Sequence, residues 1–298
     1  MSGAAGGSDS LKGTPWLPVE ANPEVFNTFA AKMGFPTSEL VWQDVLSHED
    51  WALEMVPTPV RACAMVYEIV PQQEAFRAAE EAARAAAPAP PALPFWMVQQ
   101  IPNACGTIAL LHAAVNAVQS GDAAAAEGSW LARYIAAAAP LGPVAREALL
   151  AADETLAAQH AEAVQEGQSA VVDDTWQHFV CFTCVAGRLW ELDGRKGGPI
   201  DHGACDKAGV LAASVGVMKA YMARNPESLR FNLCVLPVRA RLSACPPAPV
   251  RALSRHTHTH TPPPPAAWRL RPRLPQTTRG RGRAARVHSP KKNASTSK

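Results

Sequence analysis

The sequence predicts a mixed fold of α-helices and β-strands around one globular core, and two segments carry this prediction. Residues 99–112 have the pattern of a loop that turns into a buried helix, since the residues after Asn103 are almost all apolar. Residues 178–193 have the pattern of a β-hairpin, because β-branched and aromatic residues flank an Ala-Gly turn. Of the 298 residues, those from about 15 to 240 have the composition of a folded domain, which is long enough to bury a sizeable core.

Both ends of the chain differ in composition from this central domain, residues 15–240. Residues 1–14 are rich in Gly, Ala and Ser, and we expect them to be disordered. Residues 241–298 are rich in Pro, Arg and Thr and lack periodic apolar residues, so we expect a disordered basic tail. Residues 1–240 hold 15 Lys and Arg and all 26 Asp and Glu, for a net charge of −11, whereas the tail holds 13 Lys and Arg and no acid. The acidic body favours a basic protein partner, with simple solubilising charge as the alternative.

Short basic motifs leave a second kind of partner open for the tail. Arg-Gly-Arg-Gly-Arg at 279–283 and Pro-Lys-Lys at 290–292 are typical of weak RNA contacts or of a nuclear address. His-Thr-His-Thr-His at 256–260 resembles a weak transition-metal site without a rigid support. The favoured interpretation is a solvated appendage, so that nucleic acid is expected as a partner only through weak contacts of the tail.

Composition also bears on the cellular compartment. The chain starts without the basic segment and apolar core of a signal peptide, and no apolar run reaches the roughly 18 residues that span a bilayer. Seven cysteines without a secretory signal indicate free thiols in a reducing compartment. We therefore expect a cytoplasmic protein, with the nucleus as a second location and no membrane partner.

Cys105 is the candidate nucleophile of the chain. We expect Asn103 to cap the helix and Cys105 to lie in its first turn, where the backbone amides and the helix dipole stabilise a thiolate. Gln99, in the incoming loop, is placed to direct an amide donor at the same point. A thiolate beside an uncharged donor is the minimal set for acyl transfer with an oxyanion hole. The alternative is a buried cysteine that acts only as a small apolar residue.

His178 is the candidate base and Asp193 its partner. The two-residue turn at 186–187 sets a register in which Asp193 lies opposite Val180. Strand alternation then places His178 on the same face, one diagonal step from Asp193. A carboxylate there would fix the imidazole tautomer and stabilise an imidazolium. The alternative is a surface histidine near a turn.

Other motifs are interpreted as structural. Cys181 and Cys184 are three residues apart on a strand, so they point to opposite faces and pack rather than share a zinc ion. His112 is expected to be a hydrogen-bonded core residue. Residues 75–91 predict an Ala-rich helix that stops at a proline and serves as a spacer. Residues 154–174 predict a long polar loop, and loops of this length commonly form lids.

Six blocks of sequence resemble the ubiquitin carboxyl-terminal hydrolases, a family of compact cysteine proteases that cleave after the last glycine of ubiquitin. The blocks are WLPVEANPEV (16–25), MVPTPV (55–60), NACGTI (103–108), HFV (178–180), ELDGRK (191–196) and LRFN (229–232). Their order and spacing are similar to those of the small single-domain members. The hairpin turn is Ala-Gly, whereas Asp-Gly is frequent in the family. Ala186 therefore occupies a turn position where positive φ disfavours alanine.

The resemblance implies a fold similar to that of papain-like cysteine proteases, with a central antiparallel sheet, flanking helices and a knotted backbone. It implies that Cys105 is the nucleophile, that His178 is general base and then general acid, that Asp193 orients His178, and that Gln99 donates to the oxyanion. The segment 154–174 resembles the family's crossover loop, which spans the active site.

The activity that the resemblance implies is that of a thiol-dependent ubiquitinyl hydrolase. Such an enzyme would cleave small adducts or short peptides from ubiquitin through a thioester, as a monomer and without metal or cofactor. Its partner would be ubiquitin, with related ubiquitin-like modifiers as further candidates. The alternative is a ubiquitin-binding module that sequesters free ubiquitin with little turnover.

Overall fold

The computed structural model describes residues 15–85, 93–168 and 175–239, and within them eight helices and six strands form. The helices are α1 (Pro23–Met33), α2 (Asp50–Leu53), α3 (Pro71–Ala85), α4 (Cys105–Gln119), α5 (Trp130–Ala138), α6 (Pro143–Ala151), α7 (Glu154–Gln165) and α8 (Val210–Arg224). The strands are β1 (Gln43–Asp44), β2 (Val60–Glu68), β3 (Gln177–Val185), β4 (Arg188–Leu192), β5 (Ile200–Ala204) and β6 (Asn232–Pro237). The predicted disordered ends, residues 1–14 and 241–298, lie outside the described residues. No helix in the described ranges is long and apolar enough to cross a membrane.

The six strands form one antiparallel sheet in the order β1-β6-β2-β3-β4-β5. The central antiparallel sheet with flanking helices is therefore confirmed. β6 comes last along the chain but pairs between β1 and β2. The knotted path implied by the resemblance stays a prediction.

The sheet separates two apolar cores, and strand alternation assigns residues to each. Ala62, Ala64 and Val66 of β2 face the larger core, which α1, α4, α5, α6 and α7 complete. The residues between them face a smaller core completed by α8. All but two residues of α4 are buried, as expected for a helix that is apolar on every side. The central helix α4 thus presents its first residue, Cys105, to the sheet rather than to solvent.

The start of α4 differs from the prediction in one respect. The helix begins at Cys105 as expected, but its N-cap position is Ala104, which makes no side-chain cap hydrogen bond. Asn103 instead has a φ of +61°, in the left-handed region that asparagine tolerates better than most residues. The interpretation of Asn103 as the N-cap was therefore wrong, because this residue turns the chain one step before the cap.

The predicted hairpin register is confirmed. Val185 pairs with Arg188 and Cys181 with Leu192, across a turn at Ala186 and Gly187. The two turn residues have φ values of +51° and +74°, as in a type I′ turn, so Ala186 adopts a conformation that its Cβ disfavours.

The prediction of a continuous loop over 154–174 was wrong, since α7 occupies its first twelve residues. The side chain of Asp153 caps this helix by accepting the backbone N–H of Leu156 at 2.9 Å. Leu156 and Val164 are buried at helical spacing where α7 packs on α1. The polar composition concealed this apolar stripe. Residues 169–174, which include part of the expected crossover, lie outside the described residues.

The Ala-rich helix predicted over 75–91 is present as α3 but begins four residues earlier, at Pro71, and its description ends at Ala85. Pro88, where the helix was predicted to stop, lies outside the described residues. A proline at the first helical position needs no backbone N–H partner, which explains why Pro71 starts the helix.

Candidate active site

Three side chains from separate elements meet beside the sheet. Cys105 is the first residue of α4, His178 is the second residue of β3, and Asp193 follows the last residue of β4. His178 Nε2 lies 2.7 Å from Asp193 Oδ1, so the predicted contact is present. The Cys105 thiol and His178 lie close enough to shift each other's pKa, and since Nε2 binds the carboxylate, Nδ1 is the nitrogen left for sulfur. Cys105 is 7% exposed, and the other two are more deeply buried.

The electrostatics favour a charged pair of Cys105 and His178. Burial alone would raise the pKa of the Cys105 thiol, but the hydrogen bond and charge of His178, together with the amides of Phe179 and Gly106, bring this pKa below its ordinary value. Burial alone would lower the pKa of His178, but the charge of Asp193 raises it to about 9. The lowered pKa of Cys105 and the raised pKa of His178 favour the same charge state, a thiolate beside an imidazolium.

Asp193 remains ionised despite its burial. Burial would raise its pKa, but the charge and hydrogen bond of His178 hold that pKa far below the usual range. Asp193 Oδ1 also accepts the backbone N–H of Arg195 at 2.8 Å. The Arg195 guanidinium in turn binds Glu74 of α3 through two hydrogen bonds of 3.0 Å. The helix interpreted as a spacer therefore does more, because it anchors the residue that holds Asp193.

Gln99 lies against the segment that follows Asp193. Its backbone N–H donates to the carbonyl of Gly194 at 2.8 Å, and its side-chain Nε2 donates to the carbonyl of Ile101 at 3.1 Å. A Cβ on Gly194 would lie 2.8 Å from the Cβ of Gln99, so this close approach requires glycine. The side-chain amide carries two hydrogens, and the one not used by Ile101 is the candidate donor to a substrate oxygen.

Sequence reasoning missed Glu147 of α6. This glutamate is 2% exposed, and its Oε1 accepts the backbone N–H of Ile101 at 3.0 Å. Burial raises its pKa, while the amides of Ile101 and Gln100 act in the opposite direction. A signal was available, because Glu147 precedes the fully buried Leu150 by three residues and therefore shares its helix face.

A second group of charges, buried except at His202, lies close to the first along β4, and sequence reasoning missed it as well. We call it the Glu191 cluster: Glu191, Lys196, His202 and Tyr221. The Glu191 carboxylate accepts hydrogen bonds from Lys196 Nζ at 2.6 Å, the Tyr221 hydroxyl at 2.7 Å and His202 Nε2 at 2.8 Å. Burial would raise the pKa of Glu191, but the charge of Lys196 brings it down to about 2. Lys196 also binds Glu80 of α3.

The residues interpreted from the sequence as structural have packing or backbone hydrogen-bonding roles. His112 is fully buried, and its Nε2 accepts the backbone N–H of Met97 at 3.1 Å, as expected for a core histidine. Burial lowers its pKa to about 4, so it is neutral. Cys181 faces the larger core and Cys184 the smaller one, which confirms that they point to opposite faces. Among the described residues, no three metal-binding side chains lie close enough together to hold an ion.

Comparison with known proteins places this arrangement in a family. The family described as "Ubiquitin carboxyl-terminal hydrolase, family 1" matches residues 16–223. Ubiquitin carboxyl-terminal hydrolase 3 of Arabidopsis thaliana is 37% identical over 232 residues, which cover 78% of this chain and 98% of the relative. A ubiquitin carboxyl-terminal hydrolase of Drosophila melanogaster is 33% identical over 224 residues, which cover 74% and 96%.

A solved structure supports the fold. The catalytic domain of Trichinella spiralis UCH37, crystallised with ubiquitin vinyl methyl ester, superposes with a TM-score of 0.60 at 19% sequence identity. The superposition covers 76% of this chain and 97% of that one.

Proposed function

Since this chain belongs to the ubiquitin carboxyl-terminal hydrolase family and is a cysteine-type deubiquitinase, we propose that it cleaves small adducts and short peptides from the C-terminal glycine of ubiquitin. We assign the chemistry to Cys105, His178 and Asp193, with Gln99 as the oxyanion donor. The observation that carries this assignment is the 2.7 Å contact between His178 Nε2 and the buried Asp193 carboxylate, beside a Cys105 thiol whose pKa His178 lowers.

In the first half of the proposed reaction, the Cys105 thiolate attacks the carbonyl carbon of the terminal glycine. The negative charge that develops on the carbonyl oxygen is held by the Gln99 side-chain amide and the Cys105 backbone N–H. The His178 imidazolium gives its proton to the leaving amine or thiol as the bond to the adduct breaks. Asp193 keeps the imidazole oriented and compensates its charge throughout.

In the second half, a water molecule attacks the thioester that joins ubiquitin to Cys105. His178, now neutral, accepts a proton from this water, and the bond to sulfur breaks to regenerate the thiolate. Apart from the attacking water, every group that these two steps use is a side chain or backbone amide of this chain, so the proposal includes no metal or cofactor.

The burial of the reacting groups supports a preference for narrow leaving groups. Cys105 is 7% exposed, and His178 and Asp193 are covered further still, so a scissile bond must enter as an extended chain. We therefore expect fast hydrolysis of ubiquitin that bears a small amide, thiol or unstructured peptide, and slow hydrolysis of diubiquitin. Equal rates on diubiquitin and on a fluorogenic ubiquitin amide would contradict this part of the proposal.

An exposed groove with a mixed polar and apolar lining is the proposed contact for the body of ubiquitin. The groove has a volume of about 400 Å³, and among its lining residues Leu46 is 75% and Leu229 is 95% exposed. Val66 pairs with both Asn232 and Phe179, so the groove lies at the same end of the sheet as the catalytic histidine, roughly 10 Å away across two strand spacings. The structural neighbour was itself solved with a ubiquitin ester bound.

Leu229→Asp should raise KM about tenfold with little change in kcat. This is the result expected when a contact that binds substrate and transition state equally is lost.

The deciding experiment measures hydrolysis of ubiquitin that carries a fluorogenic C-terminal amide, with Cys105→Ala as the matched control. We expect turnover by the wild-type protein and none by the variant, with ubiquitin binding retained by both. A ubiquitin probe with an electrophilic C-terminus should label Cys105. Binding without turnover in the wild-type protein would favour the sequestering module, and labelling of Cys181 or Cys184 would overturn the assignment of the nucleophile.

A further inference from the structure

We propose that Glu147 is a positioning residue for the oxyanion donor Gln99. This inference rests on the proposed function, because it concerns how the donor of that reaction is held. Glu147 lies on α6, outside every segment that carries the predicted chemistry. It acts through the backbone of the loop that leads into α4.

A chain of two hydrogen bonds links Glu147 to Gln99. The Glu147 carboxylate accepts the N–H of Ile101 at 3.0 Å, and the carbonyl of Ile101 accepts the side-chain amide of Gln99 at 3.1 Å. The backbone N–H of Ile101 is therefore held by Glu147, and its carbonyl by the Gln99 side chain. The orientation of the Gln99 amide then depends on where Glu147 holds Ile101.

The surroundings of Glu147 argue for a specific role. A buried carboxylate is costly unless it is hydrogen-bonded, and the groups that favour its charge here are the backbone amides of Ile101 and Gln100. Hydrogen bonds from amides to a charged acceptor are stronger than those between neutral groups. The neighbouring Arg146 is directed elsewhere, to the carbonyl of Trp96 at 2.8 Å. Glu147 thus hydrogen-bonds to the backbone of the loop rather than forming an ion pair with Arg146.

Removal of this carboxylate leaves the Ile101 N–H without its acceptor in the interior. The loop is then expected to shift so that this N–H reaches water, and the Ile101 carbonyl moves with it. A displacement of about 1 Å at a catalytic group can cost a factor of roughly 100 in rate. Binding of ubiquitin should not change, because Glu147 is buried and is not among the residues that line the exposed groove.

The first test compares Glu147→Ala, Glu147→Gln and Leu150→Ala on the fluorogenic ubiquitin amide. We expect Glu147→Ala to lower kcat by about 10- to 100-fold with KM within twofold, and Glu147→Gln to recover most of the loss, since its amide oxygen still accepts the Ile101 N–H. Leu150→Ala is the matched control, because it weakens the packing of the same helix without removing an acceptor. It should lower Tm while kcat stays within about threefold. A kcat that follows Tm across all three variants would overturn the proposal.

The second test is a double-mutant cycle with Gln99→Ala. If Glu147 acts through Gln99, the addition of Glu147→Ala to Gln99→Ala should cause little further loss of kcat. Full additivity would show that Glu147 affects the rate by another route. Amide hydrogen exchange at Ile101 gives a readout independent of catalysis, and it should be faster in Glu147→Ala than in Glu147→Gln. Absence of turnover in the wild-type protein would refute the proposed function, whereas unchanged exchange at Ile101 would refute this inference alone.

Discussion

Two groups of charges with buried carboxylates lie side by side along β4, and they differ in how fully their hydrogen bonds are satisfied. In the Glu191 cluster, the carboxylate accepts from a lysine, a tyrosine and a histidine, so both of its oxygens are bound. In the proposed catalytic triad of Cys105, His178 and Asp193, Asp193 Oδ1 accepts from His178 and from the Arg195 N–H, while Oδ2 finds no partner among the described residues. Gln99 Oε1 is likewise without a partner in the described part of the chain.

On the proposed assignment, the difference separates a group that holds the fold from one that performs chemistry. The Glu191 cluster joins β4, β5 and α8, and every charge in it is compensated where it lies. The triad keeps a histidine of raised pKa beside a thiol of lowered pKa, an arrangement that is ready to transfer a proton. Burial of charge is common to both groups, so what marks the candidate active site is an incompletely satisfied network beside a potential nucleophile.

The largest expected effect comes from breaking the triad. Asp193→Asn should lower kcat/KM by about 10² to 10⁴ because the imidazole loses its charge partner, and His178→Ala should be worse. Circular dichroism should show that both variants retain the fold. Full activity of Asp193→Asn in the fluorogenic assay would remove Asp193 from the triad and abolish the distinction between the two groups of charges.

Breaking the Glu191 cluster should have the opposite balance of effects. Glu191→Gln leaves Lys196 with Glu80 in place of two carboxylate partners, so we expect a loss of about 3 kcal/mol in the free energy of unfolding, measured with urea. The activity of the protein that remains folded should fall less than tenfold. The double variant Glu191→Gln with Lys196→Met removes both charges and should recover part of the stability. A loss of activity comparable to that of Asp193→Asn would show that the two groups work as one.

The dependence on pH sharpens the comparison, because the catalytic pair has shifted pKa values. The rate should fall at low pH, where the Cys105 thiolate takes up a proton, and this limb should lie below the ordinary thiol pKa. It should fall again above about pH 9, where His178 loses the proton that it must give to the leaving group. Asp193→Asn should move the upper limb to lower pH, since the charge of Asp193 is what raises the pKa of His178. An unmoved upper limb would assign that ionisation to another group.

The smallest effect is expected at the basic tail. Truncation after Arg241 should leave Tm and hydrolysis of the fluorogenic substrate nearly unchanged, because the composition of residues 241–298 predicts no packed structure. Differential scanning fluorimetry and the fluorogenic assay check this directly. A large loss in either would show that the tail contributes to the folded domain.

Much of the site could be predicted from sequence because its geometry is local. A two-residue turn sets the register of the whole hairpin. Counting residues outward from the turn along both strands therefore predicts the contact of His178 with Asp193. The position of Cys105 at the start of α4 follows from the apolar run behind it. These inferences require no knowledge of the tertiary packing. The assignment of Asn103 as N-cap failed at the same level, because a turn and a cap favour the same residue types.

The remaining contacts could not be predicted because they join segments far apart in the chain. Glu74 binds Arg195 across 121 residues, and Glu147 reaches Ile101 across 46. No local pattern sets such distances, since they depend on how helices pack against the sheet. The error over 154–174 has a different origin. The spacing of Leu156 and Val164 carried a helical signal that a judgement from polar composition overlooked.

The order of the strands along the chain has a consequence during synthesis on the ribosome. Cys105 is synthesised well before His178 and Asp193, and β6, the final strand, must pair between two strands made near the beginning. Until His178 arrives, the cysteine ionises as an ordinary thiol and reacts slowly with electrophiles. The growing polypeptide is thus expected to carry an unactivated cysteine, which gains its reactivity only when β3 and β4 bring His178 and Asp193 to it.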